Sequence, residues 1–205
     1  MTDQQPRRAQ VSVAIVGAGY IADFHLAALR ALPGVEVRAI CDLNGALAAR
    51  YARAHGIPRS YSQLDEMLRQ EQLDVVHVLT PPHVHARNGQ QVLAAGVDAL
   101  IEKPLCHSAE DCQTLTQQAT DAGRALGVSH NFLFYPIYER LVSDVQEGRL
   151  GQIDQVDIVW NKELGQLRGG PFNAWMLQTP TNILFEVAPH SLAHVIHLVL
   201  SLIHI

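Results

Sequence analysis

Apolar positions along this chain follow two alternating rhythms. Val11 to Val16 is a short apolar run rich in β-branched residues, the pattern of a buried strand. Helical spacing takes over from Ile21 to Leu32. Strand-like runs recur at Val35 to Ile40, Asp74 to Leu79, Val97 to Ile101 and Ala125 to Ser129. Between them, Ala46 to His55, Tyr61 to Arg69, Val84 to Ala95 and Ser108 to Ala122 carry helical patterns. Gly56-Ile57-Pro58 and Gly96 supply stop signals, and Ser62 is the expected cap of its helix. Strands alternating with helices in this way predict an α/β fold with a doubly wound, parallel sheet.

Beyond residue 130 the rhythm changes. Pro136 to Glu147 reads as a connecting helix closed by Gly148, and Thr181 to Leu198 as a largely helical stretch. Gln152 to Asn161, with Ile153, Val156, Ile158 and Trp160 among its apolar residues, predicts the first strand of a second domain. Gly165 to Pro180 is loop-like, with Trp175 expected near a cleft. The expected organisation is a tail over 1–10, a first domain over 11–130, part of a second over 131–199 and a foreign tail over 200–205.

Composition narrows the functional classes. With 48% hydrophobic and 17% charged residues, the 205-residue chain can build an ordinary globular core. Its net charge is −5 and its Lys and Arg are scattered, so no nucleic-acid footprint is visible. Cys41, Cys106 and Cys112 are odd in number and unevenly spaced, which suggests reduced thiols and a cytoplasmic protein. Arg7-Arg8 has the form of a twin-arginine signal but runs straight into the first strand without a cleavable apolar region. No uncharged apolar run is long enough to span a bilayer.

The first strand ends at Gly17-x-Gly19-x-x-Ala22. Gly17 suits a tight turn, Gly19 lets a bound group approach the backbone, and Ala22 lets the new helix pack closely on the strand. With Tyr20 and Ile21 these residues form the candidate cradle for a dinucleotide pyrophosphate at a helix N-terminus. Asp42 closes the second strand 25 residues beyond Gly17. A carboxylate there accepts hydrogen bonds from both ribose hydroxyls and repels a 2′-phosphate, favouring NAD over NADP. The alternative is a turn aspartate capping the helix that follows. Thr80-Pro81-Pro82 makes a stiff loop at a strand's carboxyl end, where open α/β sheets bind ligands.

Glu102-Lys103-Pro104 adds specificity. Together with Gly17-x-Gly19-x-x-Ala22, Thr80-Pro81-Pro82-His83-Val84-His85, His130-Asn131-Phe132 and Glu186-x-x-x-His190, it resembles the glucose–fructose oxidoreductase/inositol dehydrogenase/rhizopine-catabolism (Gfo/Idh/MocA) family. The resemblance implies a Rossmann domain followed by an α/β domain with a mainly antiparallel sheet. It implies oxidation or reduction of sugars, polyols and related compounds, and homo-oligomers for the full-length protein. It also gives Lys103 a substrate-contacting role, consistent with an ammonium that stabilises charge developing on a substrate oxygen. Glu102 can hold that lysine or a cofactor hydroxyl, although by itself the dipeptide reads equally as a surface ion pair. The family pattern offers His85 as a cofactor contact, and either His83 or His85 can equally cap the next helix. Asn131 is a candidate for the nicotinamide or substrate side, and Tyr135 a weaker one.

His190 occupies the position of the family's catalytic histidine, usually written Asp-x-x-x-His, with Glu186 in the aspartate's place. A histidine can take the hydroxyl proton as hydride leaves the same carbon. Spacing of four puts both side chains on one helical face. Pro189 between them predicts either a kink or a helix that starts there. Glu186, His190, His194 and His197 raise a metal-site alternative; packing or rim roles for His194 and His197 fit better, and no metal is expected.

The family resemblance implies further strands beyond the present end, so the chain reads as part of a two-domain enzyme, and this fragment by itself is expected to be inactive. Leu200-Ser201-Leu202-Ile203-His204-Ile205 matches one reading frame of a transposon-end adapter and is expected to be artefactual. The competing functional class is a nucleotide-binding sensor or regulatory protein of the same fold without turnover.

Overall fold

The computed structural model describes residues 10–161, 163 and 175–200. Two compact units divide at Ser129 and His130.

The first unit is built on six strands: β1 (Val11–Val16), β2 (Val35–Cys41), β3 (Arg59–Tyr61), β4 (Val75–Val78), β5 (Asp98–Glu102) and β6 (Leu126–Ser129). All pairings are parallel and the sheet order is β3-β2-β1-β4-β5-β6. The connecting helices are α1 (Tyr20–Ala31), α2 (Gly45–His55), α3 (Leu64–Gln70), α4 (His85–Ala94) and α5 (Ala109–Ala122). The order reverses between β1 and β4, the point at which such sheets open a crevice beyond their carboxyl ends.

Alternation along the strands sorts the core into two layers. Ala14, Val16, Val76, Val78, Ala99 and Ile101 join a cluster with Met67 of α3, Val92 and Leu93 of α4, and Leu115 of α5. Val13, Ile15 and Ile40 join the opposite cluster with Ala22, Leu26 and Leu29 of α1 and Tyr51 of α2. Every second side chain of a buried strand must find apolar cover on each face, so both faces carry helices.

Local signals account for most boundaries. Ser108 caps α5 by accepting from the Asp111 N–H at 3.0 Å, and Asn44 caps α2 by accepting from Leu47 at 3.1 Å. The α2 cap is therefore Asn44, not Asp42. Two expectations are corrected. Tyr61 lies in β3 and not in a helix, because an edge position beside β2 pairs its backbone. The helix that follows begins at Leu64 after Gln63, without a side-chain cap, so Ser62 does not cap it.

The second unit contains a single helical turn at Asn131–Phe134, α6 (Pro136–Gln146), α7 (Trp175–Gln178) and α8 (Pro180–Leu200). Helix α8 runs through Pro189, so no helix starts at that residue. Tyr138, Val142, Val145 and Leu198 form its core, with Leu133, Ile153 and Val156 against them. The strand expected over 152–161 does not form: these residues carry no ladder pairing. A lone apolar alternation buries some side chains, but the strand needs a neighbour to bond its backbone. Most of the expected loop over 165–180 and the tail over 201–205 lie outside the described residues.

Candidate functional site

The sequence-derived candidates of the first unit converge at the carboxyl ends of β1, β2, β4 and β5. Gly17 follows β1 with φ +104°, and its N–H donates to the Cys41 carbonyl at 2.7 Å. A Cβ on Gly17 would lie 2.8 Å from the Leu79 carbonyl oxygen, so the glycine permits close approach of two strand ends. Gly19 differs. It is the N-cap of α1 at φ −85°, and a Cβ there would meet nothing within 4 Å. Tyr20 is exposed, Ile21 half-buried and Ala22 buried against the sheet. Open space therefore lies beside the N-terminus of α1, the kind of helix end that can receive an anion.

Asp42 reaches across to this loop. Its Oδ2 accepts from the Ala18 N–H at 2.9 Å and its Oδ1 from the Asn44 N–H at 2.8 Å. Each carboxylate oxygen keeps a second lone pair for another donor. Beside it, burial first and then the charges of Asp42 and Glu66 push the Cys41 thiol up to about 12, so no reactive thiolate sits there.

The Thr80-Pro81 loop and the Lys103–Pro104 segment are fastened together by His85. That ring is fully buried, with Nε2 2.6 Å from the Thr80 carbonyl and Nδ1 2.8 Å from the Pro104 carbonyl. A neutral imidazole donates to only one of them at a time. Burial disfavours the charge, the two carbonyls and Glu102 favour it, and the net displacement of the His85 pKa is downward. His85 is thus a brace between loops, in contrast to the expected cofactor contact, because both ring nitrogens already face protein. Thr80 Oγ1 accepts from Asn88 at 3.1 Å.

Lys103 is buried at 8% exposure, and its peptide bond to Pro104 is cis. Its backbone N–H donates to Glu102 Oε2 at 3.2 Å. Burial pulls the Glu102 carboxyl upward. Hydrogen bonds from His25 and Ser129 and the charges of His25 and Lys103 outweigh that, and the net displacement is downward. The sequence reading missed His25 and His77, which meet each other, with His25 also reaching Glu102. Their spacing carries no local signal, since they come from α1 and β4.

In the second unit Asn131 is exposed on its helical turn and Tyr135 follows it at 49% exposure. His190 stacks on Phe132 at 4.3 Å between ring centroids, with Trp160 5.8 Å away. Trp160 Nε1 donates to Ser191 Oγ at 2.5 Å, fixing the indole beside the imidazole. Glu186 is half-buried one turn earlier. His194 and His197 pack on Tyr138, whose hydroxyl donates to the His194 carbonyl at 2.8 Å. Among the described residues no group of three His, Cys, Asp or Glu side chains could hold a metal ion. Among them, too, no helix is long and apolar enough to cross a membrane.

Comparison with known proteins agrees with this geometry. Residues 11–130 match the Gfo/Idh/MocA profile, described as an oxidoreductase family with an NAD-binding Rossmann fold. D-apiose dehydrogenase of Paraburkholderia graminis is 30% identical over 138 residues, covering 67% of this chain and 37% of that protein. The 4-carboxy-2-hydroxymuconate-6-semialdehyde dehydrogenase of a Sphingobium species is 29% identical over 71% of this chain and 46% of its own length. The chain thus spans less than half of these relatives. Among solved structures, GenD2 from gentamicin A biosynthesis in complex with NAD is 30% identical with a TM-score of 0.66, covering 71% of this chain and 41% of that one. An Agrobacterium radiobacter oxidoreductase superposes over 92% of this chain and 54% of its own with a TM-score of 0.79; at 19% identity it speaks for the fold alone.

Proposed function

This chain belongs to the Gfo/Idh/MocA oxidoreductase family, and from that premise we propose that it serves an NAD-dependent oxidoreductase acting on a sugar, polyol or related hydroxy or keto compound. The observation that carries the reading is the convergence of the Gly17–Ala22 loop, Asp42, the Thr80-Pro81 loop and Glu102-Lys103 at adjacent strand ends. The residues fit a dinucleotide. Gly19 leaves the space a Cβ would fill, the α1 N-terminus offers amides for a pyrophosphate, and Asp42 has lone pairs for ribose hydroxyls. The carboxylate of Asp42 supports NAD over NADP. When bound, the nicotinamide supplies the hydride acceptor or donor.

The protein's own residues divide the remaining work. Lys103, at the end of β5, is the donor to the substrate oxygen that gains charge. His190 is the acid/base that takes or returns the hydroxyl proton, its ring held by the Phe132 stack. Glu186, one turn earlier, is the carboxylate assigned to orient it. Asn131 is assigned to the nicotinamide or substrate side. We further assign the protein to the cytoplasm, on its three free thiols, and to a homo-oligomer, as the family resemblance implies.

Titration calorimetry with NAD and NADP, followed by NADH formation with a panel of sugars and polyols, tests the reading. Binding of NAD is expected, and turnover with one panel member is expected of a full-length version that carries the rest of the second domain. Lys103→Met and His190→Ala should each lower that turnover by roughly 10²-fold or more while NAD binding persists. A folded protein that binds neither dinucleotide would overturn the assignment, and one that binds NAD while both variants turn over normally would move the chemistry to other residues.

A further inference from the structure

We propose that His25 and His77 are positioning residues that act on Lys103 through Glu102, an inference that rests on the reading of Lys103 as the substrate-facing cation. Three elements far apart in sequence bring them together. Along β4, Val76 and Val78 face the α3–α5 layer, so His77 faces the α1 side. Along β5, Ala99 and Ile101 face that same α3–α5 layer, so Glu102 also faces α1. Parallel pairing sets His77 opposite Leu100, two residues before Glu102 on the same face. His25, one turn after Ala22 on α1, drops between them.

The contacts are short and shielded. His25 Nε2 lies 3.0 Å from Glu102 Oε1, with side-chain exposures of 11% and 14%. His25 Nδ1 lies 2.9 Å from His77 Nδ1, the rings meeting edge to face at 86°. Buried polar groups at such distances are held by hydrogen bonds, since leaving them unpaired is costly.

Donor counting fixes the direction of each bond. An ionised carboxylate only accepts, so His25 Nε2 must carry a hydrogen and donate to Oε1. If His25 is neutral, its Nδ1 is bare, and His77 must present Nδ1–H to it. Burial, then the neighbouring His25, drive the His77 pKa down to about 4, against the pull of Glu102, so His77 is a neutral ring. Glu102 Oε2 meanwhile accepts the Lys103 backbone N–H, and Ser129 adds another donor. The carboxylate is therefore held from α1, from β6 and from the residue it serves. It cannot swing without breaking a bond on each side. The same group that anchors the Lys103 backbone also interacts by charge with the Lys103 side chain, and its placement depends on His25.

The sequence contains two lysines, Lys103 and Lys162, which makes Lys103 separately readable. In the 205-residue chain, the rate of Lys103 acetylation by N-acetoxysuccinimide is measured by peptide mass spectrometry against Lys162. His25→Asn removes the donor at the Nε2 position, while His25→Gln restores an amide N–H close to it. Lys103 should label roughly tenfold faster in His25→Asn, the factor implied by losing one hydrogen bond to a charged group. His25→Gln should return the rate to within about twofold of the parent, the residual left by an imperfectly placed neutral donor. Equal rates in all three proteins, with matching circular dichroism, would overturn the proposal. Long-range 1H–15N spectra of the unsubstituted chain give an arm that no folding defect can blur. Hydrogen on His25 Nε2 at neutral pH is required, and a bare Nε2 would overturn the proposal outright. Neither measurement includes a dinucleotide or substrate, so failure of NAD binding and failure of this positioning role give different results.

Discussion

Alanine at position 17 and alanine at position 19 make the same chemical change two residues apart, yet the structure separates their consequences. At Gly17 the backbone sits at φ +104°, and the added methyl would stand 2.8 Å from the Leu79 oxygen and 2.9 Å from its carbonyl carbon. These are strand-end backbone atoms that cannot rotate away. The positive φ costs roughly 1–2 kcal/mol and overpacking against a rigid neighbour roughly 1–3 kcal/mol. Gly17→Ala should therefore lose about 2–5 kcal/mol, a large share of a domain's stability. At Gly19 the φ of −85° suits any residue, and nothing lies within 4 Å. A worse N-cap and a less flexible unfolded chain nearly cancel, so Gly19→Ala should stay within about 1 kcal/mol of the parent. Its methyl would occupy the space proposed for the pyrophosphate, and NAD affinity should fall roughly ten- to hundredfold, equivalent to 1–3 kcal/mol of overpacking. Thermal unfolding by circular dichroism and calorimetric NAD titration read both effects. Gly17→Ala should melt roughly 4–20 °C below the parent. A Gly17→Ala melt matching the parent, or Gly19→Ala binding NAD at parental affinity, would refute the division of labour between the two glycines.

Three further outcomes are expected. His77 has a folded pKa of about 4 against an ordinary value of 6.5, so the unfolded chain binds the proton first. The stability it contributes is complete above pH 6.5 and is lost as pH falls toward 4, on the order of 3 kcal/mol. His85, also displaced downward, adds to the same slope; urea unfolding that is flat from pH 7 to 4.5 would contradict both. Asp42→Ser should lower the NAD-to-NADP affinity ratio roughly tenfold or more by removing the charge proposed to lie beside the ribose. It should also weaken binding of both dinucleotides, because the tie to the Ala18 N–H goes with it; a parent that binds NADP more tightly than NAD would refute the premise. Both helix–sheet layers lie wholly within residues 13–126, so residues 1–130 expressed alone should unfold cooperatively. They should bind NAD within about threefold of the longer chain, a change below 1 kcal/mol, and a molten, non-binding product would show that the first unit depends on the second.

Much of the first unit was legible in the sequence because burial imposes a local period. Val13 and Ile15 pointing to one layer and Ala14 and Val16 to the other is written in the run Val11–Val16 itself, as are the glycines that end it. The positions of Asp42 and Lys103 follow from the same logic, since each directly follows an apolar strand, whereas the role expected of Lys103 came from the family resemblance. Tertiary structure decided what periodicity cannot encode. Arg59–Tyr61 became a strand because the β2 edge was available to pair it, and 152–161, despite its alternation, pairs with no strand among the described residues. His85 reads locally as a helix cap or ligand contact, but the approach of the Thr80 and Pro104 carbonyls from two loops turned it into a brace. His25, His77 and Glu102 are unrelated in the sequence until the strand order places β4 beside β5 under α1. A residue's own pattern determines which face it takes. Which residues it meets there depends on the register and order of strands distant in the chain.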